Sequence, residues 1–213
     1  DLPRKSRGLL QNGWRDGTVR ARMMRGKTVG FVGFGRIARA TLARLANWGI
    51  RAVYFDPFVD QSAAAGVTRM PDLPMLLRLS DIVTVLVDLT PETRGMIASP
   101  ELSTMRPEAY LVNTARGAVV DEAALVQALR FGIIAGAAVD AFEAEPLPAD
   151  SPLRTLDNVI LTPHNIGHTL ELQASFVAAA QENVVRIACG EPPPYLKNPA
   201  VLPRWRERLA RLR

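Results

Sequence analysis

Six short apolar runs mark the middle of this chain: Thr28–Val32, Ala52–Phe55, Ile82–Val87, Tyr110–Asn113, Ala135–Val139 and Val159–Leu161. Between them lie stretches with apolar residues at helical spacing, at Ile37–Trp48, Leu73–Leu79 and Glu122–Arg130. Short strands alternating with helices specify βαβ units, because parallel neighbours need a crossover that returns the chain to the same edge. The runs are nearly continuous in apolar character, as strands covered on both faces are. The expected fold is α/β, a doubly wound parallel sheet of the Rossmann type.

The two ends read differently. Residues 1–25 are expected to be a connector: basic, carrying Gly8, Gly13 and Gly17, and without a clear period. Residues 26–169 form the α/β domain. Residues 170–213 begin with a long Ala-rich helix, Leu170–Ile187, which Gly190-Glu-Pro-Pro-Pro194 stops. A basic tail follows, with a short helix expected at Trp205–Leu212.

Composition narrows the function classes. With 213 residues, 48% of them apolar, the chain can bury a sizeable core, which excludes wholesale disorder. The single cysteine, Cys189, excludes an internal disulfide framework and a Cys-rich zinc site, and no metal site is expected. No stretch approaches the roughly 18 consecutive apolar residues of a membrane span. The N-terminus, Asp-Leu-Pro-Arg-Lys, has no apolar signal core, so a cytoplasmic setting is expected. The formal charge of +5 invites a nucleic-acid reading, but it is unevenly placed. Residues 1–27 carry +6 and residues 204–213 carry +4, while 28–203 carry −5. The basic ends lack the interleaved aromatic residues of a base-stacking platform, and nucleic acid is not the expected partner.

Gly33-Phe-Gly35-Arg-Ile-Ala38 follows the first strand and opens a helix. In such a string the first glycine permits a tight turn and the second lets backbone approach a pyrophosphate. The third position, Ala38, needs only a small side chain for helix–strand packing. The helix N-terminus then presents unpaired N–H groups to the phosphates. Asp56 closes the second strand, where a carboxylate accepts bonds from both adenosine ribose hydroxyls and repels a 2′-phosphate. The cofactor expected on these grounds is NAD, in preference to NADP.

Other reactive side chains also follow strands. Arg116 comes after the Tyr110–Asn113 run, Asp140 and Glu145 after Ala135–Val139, and His164 after Val159–Leu161. In a parallel sheet all these positions fall on the carboxyl edge, where doubly wound folds bind ligands.

Together, Gly33-x-Gly35, Asp56, Asn113-Thr-Ala-Arg-Gly117, Asp140-Ala-Phe-Glu-Ala-Glu-Pro146 and Thr162-Pro-His164 resemble the D-isomer-specific 2-hydroxyacid dehydrogenases. Asp56-Pro57 is similar to the phosphoglycerate dehydrogenase-like branch. The resemblance runs from about Trp14 to Pro199. It implies a catalytic set of Arg116, Glu145 and His164. It also implies cofactor contacts at Gly33, Gly35, Arg36, Ile37, Asp56, Thr114, Ala115, Arg116, Asp140, His164 and Gly167. His164 would exchange a proton with the 2-hydroxyl of a small 2-hydroxy or 2-keto acid, Glu145 would stabilise the imidazolium, and Arg116 would clamp the substrate carboxylate. A homodimer is the implied assembly. Such enzymes have a second, substrate-binding domain built mainly from residues N-terminal to the connector. Most of that domain has no counterpart here, so a fragment of a longer enzyme is expected. The alternative class is a non-catalytic NAD-binding or NAD-sensing module, as in corepressors that resemble this family. The chain departs from the pattern at Leu86, where His is frequent, at Asp88, where Pro is frequent, and at Asn165, where an apolar residue is usual.

Overall fold

The alternation is realised in a computed structural model that describes residues 2–14, 21–61, 66–194 and 196–211, with the backbone alone at residues 2–4. The chain divides into two compact units, Asp1–His164 and Asn165–Arg213.

The first unit is built on seven parallel strands among the described residues: β1 (Thr28–Val32), β2 (Arg51–Phe55), β3 (Thr68–Arg69), β4 (Ile82–Val85), β5 (Tyr110–Asn113), β6 (Gly136–Val139) and β7 (Val159–Leu161). Their order is β3-β2-β1-β4-β5-β6-β7, so the chain reverses direction across the sheet between β1 and β4. Register pairs Val32 with both Phe55 and Val85, and Asn113 with both Val85 and Val139. Strand ends that match in this way place the loops after β1, β2, β4, β5 and β6 along one edge.

Helices cover both faces. The five residues of β1 are all buried, and its side chains alternate between two cores. Val29 and Phe31 point into a cluster with Phe34, Tyr54 and Ala38 of α2 (Arg36–Leu45). Phe34 stacks on Tyr54 at 4.4 Å between ring centres and meets Phe31 edge-on at 5.8 Å. Val32 joins the larger core, with Leu76 and Leu77 of α3 (Leu73–Leu79), Leu102 of α4 (Ser99–Thr104) and Leu125 and Leu129 of α5 (Glu122–Arg130). Gly30 lets α3 lie directly on β1, since a Cβ there would fall on Ser80 Oγ and within 2.8 Å of Leu76 Cδ2.

The opposite edge of the sheet is held by charge. Asp81, at the start of β4, accepts the Thr28 N–H at 2.9 Å and the Lys27 ammonium at 3.1 Å, with the Arg106 guanidinium at 3.7 Å. Burial acts to raise its pKa, but these partners outweigh it and hold the carboxyl below its ordinary value.

The segment expected to be an aperiodic connector holds a helix, α1 (Leu2–Leu10), while residues 15–20 lie outside the described residues. Pro3 sits in the first turn of α1, where its missing N–H costs nothing. Helix α4 and strand β3 were not expected either. In the second unit, α6 (Leu170–Ala188) starts at Thr169, whose Oγ1 accepts the Leu172 N–H at 3.1 Å. The tail forms α7 (Leu202–Ala210), which begins three residues before the expected helix; Leu212 lies outside the described residues. No helix among the described residues is long and apolar enough to cross a membrane.

Candidate active site

The Gly-rich turn leaves β1 at Gly33, whose φ of +87° suits glycine. A Cβ there would also meet Val87 Cγ1 at 2.8 Å and the Leu86 carbonyl oxygen at 2.9 Å, so β1 and β4 can close together at the reversal point only around a glycine. Gly35 differs. Its Cβ would project into open space, and it caps α2 without any side-chain hydrogen bond. Open space in front of uncapped helical N–H groups is what a pyrophosphate needs. Arg36 and Ile37 begin α2, and both are exposed.

Asp56 is engaged within the protein. Its Oδ2 accepts the Phe34 N–H at 2.8 Å and its Oδ1 accepts the Phe58 N–H at 2.9 Å. The carboxylate thus ties the Gly-rich turn to the end of β2. Each oxygen keeps a further lone pair, which leaves it able to accept a ribose hydroxyl. Arg69 of β3 reaches the Pro57 carbonyl at 3.5 Å, a neighbour that the residues directly after Asp56 do not reveal.

The loop after β5 is braced by a buried asparagine. Asn113 Oδ1 accepts the Ala115 N–H and its Nδ2 donates to the Arg116 carbonyl, both at 3.1 Å. Thr114 and Ala115 are held between these bonds. Arg116 uses Nη1 to reach the Ala115 carbonyl at 2.7 Å, and its side chain stands at the exposed rim. Asp140 is buried after β6, where its N–H donates to the Asn113 carbonyl and its Oδ1 accepts the Thr162 hydroxyl. The Asn113 and Thr162 roles were not anticipated, although an Asn before small residues is a recognised turn signal.

Glu145 and His164 meet. Nδ1 of His164 lies 2.8 Å from Glu145 Oε2 and 3.0 Å from Oε1. An ionised carboxylate only accepts, so the proton sits on Nδ1 and Nε2 is the lone-pair nitrogen of the neutral ring. The His164 hydrogen bond is the largest influence on Glu145, followed by the Phe142 N–H donated to Oε1 at 2.9 Å. These, with the charges of His164 and Arg116, outweigh burial and hold the carboxyl below its ordinary value. The backbone of His164 is left-handed, φ +53°, and its N–H donates to the Thr162 carbonyl at 3.0 Å. The Gly33 turn, Asp56, Thr114–Arg116, Asp140, Glu145 and His164 therefore follow strands that end on one edge of one unit. Gly167 belongs to the second unit, in the turn ahead of α6.

Residues 1–165 match the family described as D-isomer specific 2-hydroxyacid dehydrogenase, NAD binding domain. The chain belongs to this family. Among curated relatives of the dehydrogenases, a glyoxylate reductase of Thermofilum pendens is 45% identical over 181 residues, which cover 84% of this chain and 53% of the relative. A D-3-phosphoglycerate dehydrogenase of Methanocaldococcus jannaschii is 36% identical over 193 residues, 90% of this chain and 37% of the relative. Among solved structures, a D-isomer specific 2-hydroxyacid dehydrogenase of Xanthobacter autotrophicus Py2, in complex with NADPH and MES, superposes with a TM-score of 0.77 at 37% identity. That match covers 94% of this chain and 81% of the other. The chain thus spans about half the length of the glyoxylate reductase and little more than a third of the phosphoglycerate dehydrogenase.

Proposed function

We propose that the chain is the cofactor-binding part of an NAD-dependent dehydrogenase acting on small 2-hydroxy and 2-keto acids. The observation that carries this reading is the His164–Glu145 pair on the same strand edge as the Gly33–Gly35 turn and Arg116. The open space before Gly35 and the uncapped start of α2 fit the pyrophosphate of a dinucleotide. NAD, when bound, supplies the hydride acceptor, and its reduced form the donor.

The residues then divide the remaining work. Nε2 of His164 takes the proton of the 2-hydroxyl in oxidation and returns one to the carbonyl oxygen in reduction. Glu145 keeps the imidazole in the Nδ1–H tautomer and stabilises the imidazolium formed on protonation. Arg116, with most of its guanidinium donors uncommitted, binds the substrate carboxylate through its planar fork. Glyoxylate and 3-phosphoglycerate, the substrates in the relatives' names, share a carboxylate beside the reacting carbon, which is the group that Arg116 recognises. Gly33, Gly35, Arg36 and Ile37 line the pyrophosphate end, Asp56 binds the adenosine ribose, and Thr114, Ala115 and Asp140 serve the nicotinamide half.

Asp56 favours NAD over NADP, because a 2′-phosphate would meet its carboxylate; the Xanthobacter neighbour was crystallised with NADPH, so the preference is a point to measure. A cytoplasmic homodimer is the assembly we propose, to be checked by sedimentation. The test of the reaction is His164→Ala in the full-length protein that carries this chain. Turnover on 2-keto acids should collapse while NAD affinity stays within about threefold, as expected for loss of a general acid–base group. Normal turnover would overturn the assignment. NAD binding with no turnover in the unmutated full-length protein would favour the sensing-module alternative.

A further inference from the structure

Gly117 follows Arg116 with no left-handed torsion that would require a glycine. What requires it is space. A Cβ at this position would fall on the carbonyl group of Phe142 and on the nitrogen of Glu143, so the backbone after β6 lies directly against Gly117. The same short segment of backbone is held at three further points. The Phe142 side chain is buried in the larger core. The Glu143 N–H donates to Glu122 Oε2 of α5 at 3.3 Å. The Phe142 N–H donates to Glu145 Oε1 at 2.9 Å, and the same carboxylate receives His164 Nδ1.

We propose that Gly117 is a positioning residue for the Glu145–His164 pair, its missing side chain letting the Phe142 N–H hold the Glu145 carboxylate against the imidazole. This deepens the proposed reaction and rests on it for its catalytic meaning. One backbone contact ties the loop that carries Arg116 to the loop that carries Glu145. The group that binds the substrate carboxylate and the group that orients the proton-transferring ring are thereby set at a fixed separation. A β-carbon at residue 117 must push the Phe142–Glu143 peptide away, and the donor to Oε1 moves with it. With the donor gone, the carboxylate loses one of the bonds that favour its ionised form.

The chain has only two histidines, His164 and His168, so ring-nitrogen spectra are simple to assign. The test is Gly117→Ala in this chain, with glutamate carboxyl carbons titrated by ¹³C NMR and the histidine ring nitrogens followed by ¹⁵N NMR. The Glu145 midpoint should rise by about half a pH unit or more. The His164 Nδ1 signal should shift while His168 stays in place. If Gly117→Ala does not fold, Phe142 can be replaced by its α-hydroxy acid, which turns the Ala141–Phe142 peptide bond into an ester and removes the Phe142 N–H. The same two changes are expected. An unchanged Glu145 midpoint and an unchanged His164 signal, in either folded variant, overturn the proposal. If both change as expected but His164→Ala keeps normal turnover in the full-length enzyme, the positioning contact stands and the proposed reaction falls.

Discussion

His164 holds a backbone torsion that few non-glycine residues adopt, and such residues cost on the order of 1–3 kcal/mol. The strain sits on the residue assigned the proton transfer, which is where strained backbone concentrates. Asn is the non-glycine residue that tolerates this region best. His164→Asn should therefore leave the melting temperature of the chain close to that of the parent, while the full-length enzyme loses about 10²–10⁴-fold in kcat. A second prediction concerns Asp81. Its folded pKa is lowered, so its stabilisation is present above the ordinary carboxylate range and disappears as pH falls through the folded value. Asp81→Asn should cost about 1.5–3 kcal/mol at pH 7, the worth of hydrogen bonds to a charged group. Urea unfolding at pH 7 and near pH 3 checks the sign, since the gap between parent and variant should narrow at the lower pH. The type and order of His164, Glu145 and Arg116 are visible in the sequence. What the sequence does not show is that the Asp56 carboxylate is engaged by the N–H groups of Phe34 and Phe58, because backbone N–H groups look alike in every sequence.

At the scale of elements, the legible parts are those whose burial imposes a pattern. β1, α3, β5, α5 and β7 lie where their apolar runs place them, and most other expected ends shift by a residue or two. Leu86 and Val87, read as strand, leave β4 early because they pack against the Gly33 turn, although the Leu86 N–H still bonds the Val32 carbonyl at 2.8 Å. The elements that escaped are short or polar. β3 has two exposed residues on the sheet's edge, and α4 has six, too few to establish a period. Its local signals are Pro100 in the first turn and Glu101, whose carboxylate accepts the Ala98 N–H at 3.0 Å as in a capping box. The two glycines of the dinucleotide turn separate cleanly by experiment. Gly33→Ala must strain a φ of +87° and displace Val87, so it should destabilise the chain by more than 1 kcal/mol. Gly35→Ala meets nothing within 4 Å, so it should unfold within about 1 kcal/mol of the parent yet lose NAD affinity. Paired urea curves and calorimetric titrations of both variants decide whether the open space before α2 is a phosphate cradle.

For the whole molecule, the +5 charge resolves into two basic ends and an acidic stretch, residues 28–203, and it is this stretch that carries the Gly33–Gly35 turn and the His164–Glu145 pair. The long helix α6 exposes Leu170, Phe176, Val184 and Val185, and none of its residues is buried. Phe176→Ser should accordingly change the chain's unfolding free energy by less than about 0.5 kcal/mol in a urea melt. With the chain spanning about half of its glyoxylate reductase relative, cofactor binding and turnover are separable properties. The chain should bind NAD while turning over 2-keto acids poorly, because the His164 and Glu145 side chains stand open to water. The most direct test of cofactor binding at the Gly33–Gly35 turn is a calorimetric titration of NAD into the chain, repeated with NADP and with Gly35→Ala. One NAD should bind per chain, NADP should bind more weakly by about tenfold or more from charge repulsion at Asp56, and a folded Gly35→Ala variant should show no measurable NAD binding. A folded parent chain that takes up no NAD, or a Gly35→Ala variant that binds it equally well, would contradict it.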